Sequence, residues 1–162
     1  MPAGATYEPI ATTTLSGAST WTFSSIPGTY TDLIAIVMVT STTGNSFHWR
    51  FNGDTGNSYS YTVLEGNGSA ASSARSTSDT NINIYSGVGT ANPSMFRTHF
   101  MSYGGSTNKT VLSEASNDKN GTGIVNRLVG LWRNTSAITS ITGTTFAGTL
   151  TGTATLYGIT RA

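Results

Sequence analysis

The densest alternation of hydrophobic and polar positions lies in residues 46–61, SFHWRFNGDTGNSYSY. Phe47, Trp49 and Phe51 fall on one face of an extended segment, with His48 and Arg50 on the other, the period of two that marks a half-buried β-strand. Asn52-Gly53-Asp54-Thr55-Gly56-Asn57 then gathers residues that accept positive φ or bond their own backbone. That predicts a tight turn before Tyr59 and Tyr61 resume the alternation, so the stretch reads as an aromatic hairpin. A hairpin of that size is not stable alone, and a second sheet has to cover Phe47, Trp49 and Phe51.

The same period recurs along the chain. Residues 8–15 and 20–24 read as short Thr-rich strands, and 33–39 (LIAIVMV) is apolar on both parities. Such a run predicts a central strand, covered on one side by the core and on the other by more core or a neighbouring subunit. Residues 81–85, 94–103, 109–115, 137–146 and 153–159 add further strands. Within 94–103, Phe96, Thr98 and Phe100 share one face, and Met95, Arg97, His99 and Met101 the other. Residues 124–133 admit a short helix or a strand; Gly130 and the β context favour the strand. Residues 69–80 hold only small and polar side chains and read as an exposed loop. About ten strands with turn signals every 8 to 12 residues predict an all-β fold. The expectation is a single-domain antiparallel β-sandwich over residues 1–162, with a jelly roll as the arrangement that fits the strand count.

Composition narrows the function classes. Charged residues make up 9% of the 162 positions, about a third of the usual share. Gly, Ser, Thr and Asn carry the polarity instead, while 10% aromatic content leaves enough to bury a core. The net charge of +1 comes from scattered residues without a basic cluster, so nucleic acid is not an expected partner. No cysteine is present, which excludes disulfides and thiolate metal sites. The N-terminal MPAGATYEPIATTTL has neither a basic leader nor an apolar h-region, and no segment approaches the ~18 apolar residues of a membrane span. The expectation is a soluble protein without a Sec signal and without a membrane partner. Asn-x-Ser/Thr matches at Asn67, Asn108, Asn120 and Asn134 therefore carry no weight.

Candidate chemistry is sparse. The carboxylates Glu8, Asp32, Asp54, Glu65, Asp79, Glu114 and Asp118 each stand alone in sequence, whereas glycoside hydrolysis needs a close pair. His48 and His99 read as surface or interface residues, too few for a metal site. No Gly-x-Ser-x-Gly elbow occurs, nor a Lys three residues after a candidate Ser. Asn52, Asp54 and Asn57 resemble an oxygen-rich calcium loop but lack the terminal Glu of an EF-hand, and a turn explains them better. Trp21, Trp49 and Trp132 with the seven Tyr could form a sugar-stacking platform, although core packing or a subunit interface is the stronger reading. No catalytic, cofactor-binding or metal-ligating residue is assigned, and no enzyme activity or cofactor is expected.

The segments YEPIATTTL, WTFSSIPGTYTDLIAIV, RFNGDTGNSYSY and GTATLYGI, spread over residues 7–159, resemble those of small tailed-bacteriophage virion proteins. The markers here are residues 23–33, 50–61 and 156–159. The resemblance implies a non-enzymatic structural protein on the outer surface of a phage particle, and it carries over no catalytic residue. Exposed strand edges and abundant Thr, Ser and Asn suit repeated contacts in a symmetric assembly. The resulting expectation is an external capsid cement or decoration protein, a homotrimer binding the major capsid protein. Residues 33–39 and the face of His48 and Arg50 are its expected contact surface, and the length of 162 residues favours the head. The alternative is a tail-fibre or receptor-binding module that touches host surface glycans through residues 69–80 and exposed aromatics.

Overall fold

The computed structural model describes residues 6–84, 87–118 and 121–160. Among them the chain forms twelve strands and no helix. They are β1 (Tyr7–Ala18), β2 (Thr20–Phe23), β3 (Asp32–Ser41), β4 (Phe47–Phe51), β5 (Tyr59–Gly66), β6 (Ala71–Asp79), β7 (Ile82–Asn83), β8 (Ser94–Met101), β9 (Lys109–Asn117), β10 (Ile124–Trp132), β11 (Ile141–Thr145) and β12 (Leu150–Ile159). Eight strands pair in the order β1-β12-β3-β8-β9-β10-β5-β6, and four form a second sheet, β2-β11-β4-β7. All pairings are antiparallel. Among the crossings between the sheets, those from β1 to β2, β3 to β4 and β11 to β12 form ribbons that lie side by side across both sheets. The fold is the antiparallel, jelly-roll β-sandwich that the strand pattern predicts.

The predicted hairpin at 46–61 is instead a corner. β4 pairs with β11 and β7 in the small sheet, whereas β5 pairs with β10 and β6 in the large one. A hairpin would place Phe47, Trp49, Phe51 and Tyr59 within one sheet; the corner lets two sheets deliver them to one core from opposite sides. The turn itself is as the sequence implies, with Asn52 at φ 51° and Gly53 at φ 70°. Asn52 also ties the corner to the approach of β11. Its Oδ1 accepts the N–H groups of Thr139 and Ser140 at 2.8 and 3.1 Å, and its Nδ2 donates to the Ala137 carbonyl at 2.8 Å.

Residues 69–80, expected as a loop, form the edge strand β6. Backbone pairing to β5 holds it, and only Ala74 packs against the core, so no apolar alternation was there to be read. Residues 81–85 reduce to the two-residue β7 in their described part; Tyr85 lies outside the described residues.

The core is an aromatic stack between the sheets. Trp21, Phe47, Trp49 and Phe51 from the small sheet meet Phe96, Phe100, Tyr59 and Trp132 from the large one. Ring centroids lie 5.0 Å apart for Phe47 and Phe96, 5.6 Å for Phe51 and Phe100 and 5.5 Å for Phe51 and Trp132. Each such pair adds about 0.5–1.5 kcal/mol beyond area burial. Trp49 Nε1 donates to Thr98 Oγ1 at 3.1 Å, and Thr98 Oγ1 meets Ser113 Oγ at 3.0 Å, so these polar atoms are paired with one another, whereas the buried Trp21 Nε1 has no hydrogen-bond partner. Gly143 makes the stack possible on the small sheet: a Cβ there would lie 2.2 Å from the Trp21 ring.

Candidate binding face on the large sheet

The small sheet covers the inner face of the large one, and the outer face of the large sheet stays open. Alternation sends every second residue of its strands there, and the register aligns them in rows. One row runs Ile36, Arg97, Glu114, Arg127, Leu64 and Ser73. The next runs Tyr157, Ile34, His99, Leu112, Val129 and Thr62. Seven of the eight large hydrophobic residues exposed on the described surface belong to this sheet: Tyr7, Met38, Leu64, Met95, Leu112, Val125 and Val129. The eighth, Phe146, lies against His48 on the small sheet. Exposed apolar side chains on the described surface are thus concentrated on one face.

Fixed polar groups stand within that surface. Glu114 bridges two arginines, accepting from Arg97 Nε at 2.6 Å on Oε1 and from Arg127 Nη2 at 3.2 Å on Oε2. His99 Nε2 meets Asp32 Oδ2 at 3.0 Å, and the other Asp32 oxygen accepts the Ser102 N–H at 2.7 Å. Ile34, only 6% exposed although it faces outward, floors a cleft of about 190 Å³ that Tyr7, Arg97, His99, Leu112, Glu114 and Arg127 also line. A smaller hollow of about 150 Å³ continues it past Ile36 to Tyr157. Toward β6, two further hollows of about 310 and about 300 Å³ lie over Thr62, Arg75 and Val129 and over Leu64, Leu112 and Arg127.

The sequence places Arg97 and His99 on one face of a strand, and the structure bears this out. It could not unite them with Glu114, Arg127 and Asp32, because those come from β9, β10 and β3 and meet only through register. The available signal was the Phe96-Thr98-Phe100 alternation, which already turned Arg97 and His99 away from the core.

The other singled-out residues serve the fold. Trp21, Trp49 and Trp132 are buried, so none offers a stacking platform. His48, read as a surface or interface residue, is 5% exposed beneath Phe146, with ring centroids 4.7 Å apart. Neither ring nitrogen has a hydrogen-bond partner. Burial, aided by Arg50 and opposed by Asp79, holds its pKa down to about 4. Asp54 is a turn residue. Oδ1 accepts the Gly56 N–H at 2.8 Å, and Oδ2 accepts Trp132 Nε1 at 2.7 Å and the Ser58 hydroxyl. Burial pushes its pKa up, but the bonds from Ser58, Trp132 and Gly56 outweigh it and the net shift is downward. Among the described residues, no group of three or more His, Cys, Asp or Glu could hold a metal ion.

No protein-family model and no curated protein matches the chain. Among solved structures it is similar to the galectin LEC-6 of Caenorhabditis elegans, at 13% identity and a TM-score of 0.43, covering 90% of this chain and 94% of that one. The expectation of an external capsid cement is corrected here. The surfaces expected to grip the shell are largely internal. Leu33, Ala35, Val37 and Val39 lie in the core, Ile34 is buried on the other side, and His48 is covered.

Proposed function

We propose that the protein is a non-catalytic glycan-binding module whose working surface is the open face of the large sheet. The observation that carries this reading is the Arg97, Glu114 and Arg127 row beside the His99 and Asp32 pair, walled by Tyr7 and floored by Ile34. Sugar hydroxyls donate and accept at once. Ion pairing orients the unused guanidinium donors, Glu114 supplies acceptors, and the apolar floor suits the C–H face of a pyranose. The chemistry is that of binding. A place on the outside of a virion, which the sequence resemblance implies, would bring such a face within reach of host surface glycans.

The test is a glycan array, followed by calorimetry on the best binder, for wild type and for Arg97→Ala and Arg127→Ala. Either substitution should weaken binding about tenfold or more, since each removes charge-assisted donors. Absence of binding across neutral and acidic glycans, or binding indifferent to both substitutions, refutes the reading. Met38, Met95, Leu64 and Val125 lie exposed outside the cleft and favour a second reading, a protein docked on the same face. Met95→Lys should abolish such docking while leaving glycan affinity unchanged.

A further inference from the structure

The two sheets end on four edge strands: β1 and β6, β2 and β7. Three of these edges are blunted. β1 breaks register between Pro9 and Ala11 and again between Leu15 and Ala18, where Gly17 takes φ 63°. β2 spans four residues and β7 two, too short to template a partner. β6 has one register shift, between Ser76 and Asp79 near its end, and the six residues before it are regular. The strand is nine residues long, contains no Pro, Lys or Gly, and pairs with β5 without a break from Ala71 to Ser76. Its outer rim of backbone N–H and C=O groups is open.

We propose that β6 pairs antiparallel with β6 of a second copy, joining two eight-stranded sheets into one continuous sheet. The side chains fit this partner. Arg75 is the sole charge between Ala71 and Ser78. A two-fold axis at Ser73 sets Arg75 opposite Ala71 of the second copy, and an axis at Ala74 sets it opposite Ser73 of the second copy. Neither register brings like charges together, and small residues at every other position let the strands approach. Pairing of this kind is isologous: it uses the open edge of both copies at once, so the assembly closes at two, where the sequence alone pointed to a trimer. The two candidate faces then lie side by side on one side of the joined sheet, a bivalent arrangement. The dimer stands on the edge geometry and holds whether or not the face binds glycan.

Sedimentation equilibrium and concentration-dependent amide exchange on the full chain test the proposal. Wild type should show twice the 16.9 kDa chain mass, and amides of residues 71–76 should exchange more slowly as concentration rises. Ser73→Lys places lysine against lysine in one register and against Arg75 in the other, so the dimer dissociation constant should rise about tenfold or more. Thr14→Lys on the blunted β1 edge should leave the dimer intact. A monomer at every concentration, a dimer indifferent to Ser73→Lys, or amide exchange in β6 independent of concentration overturns it.

Discussion

Lowering the pH should remove a share of stability that belongs to one side chain, His48. The ring is buried against Phe146 with neither nitrogen hydrogen-bonded, Arg50 lies near, and its pKa is held from 6.5 down to about 4. In the unfolded chain the same imidazole takes a proton near its ordinary value. Between pH 6.5 and about 4 the unfolded state therefore binds more protons than the folded one, and stability falls as pH falls. The contribution is complete above pH 6.5 and gone below about 4. At about 1.4 kcal/mol per pH unit, that window amounts to about 3 kcal/mol. Carboxylates titrate in the same range, so the measurement is a difference. Urea unfolding at intervals from pH 7.5 to 4 is compared for wild type and His48→Leu, which cannot titrate. The stability of wild type relative to the variant should drop by about 3 kcal/mol across the window, and the imidazole proton resonances of His48 should titrate near pH 4. Parallel pH profiles for the two proteins, or a His48 midpoint near 6.5, would refute the reasoning.

Three further substitutions probe the packing. Gly143→Ala drives a methyl group into the Trp21 ring, so thermal unfolding should show a loss of about 1–3 kcal/mol with an altered tryptophan emission. Asp54→Ala strips the acceptor from Trp132 Nε1, Ser58 and the Gly56 N–H; the loss should be about 2 kcal/mol, and added calcium should not move the melting temperature of wild type. Lys109 is fully buried, its ammonium donating to the carbonyls of Gly105 and Thr135 at 2.7 and 3.3 Å and also to that of Thr107, and burial lowers its pKa. Lys109→Met leaves those carbonyls without their donor, and denaturant unfolding should report a loss of about 3 kcal/mol.

Alternation made the strands legible wherever one side met the core. Phe47, Trp49 and Phe51 inward, Phe96, Thr98 and Phe100 inward, and the turn at Asn52-Gly53 are all local properties, since the period of two and the tolerance for positive φ belong to a few neighbouring residues. β6 escaped because an edge strand of Ser, Ala and Thr draws its hold from backbone pairing and gives no hydrophobic signal. His48 was misplaced because the residue that covers it, Phe146, is nearly a hundred positions away.

By itself, then, the sequence determined an all-β sandwich, the inward face of most strands, and a composition poor in charged residues and without cysteine. Tertiary structure alone decided that 46–61 turns a corner instead of a hairpin, that the tryptophans belong to the core, and that Arg97, Glu114, Arg127, His99 and Asp32 share one open face. The reason is the reach of each interaction. Side-chain alternation is written within a single strand, while a site on a sheet is written across strands, by a register that exists only once the separate strands have paired.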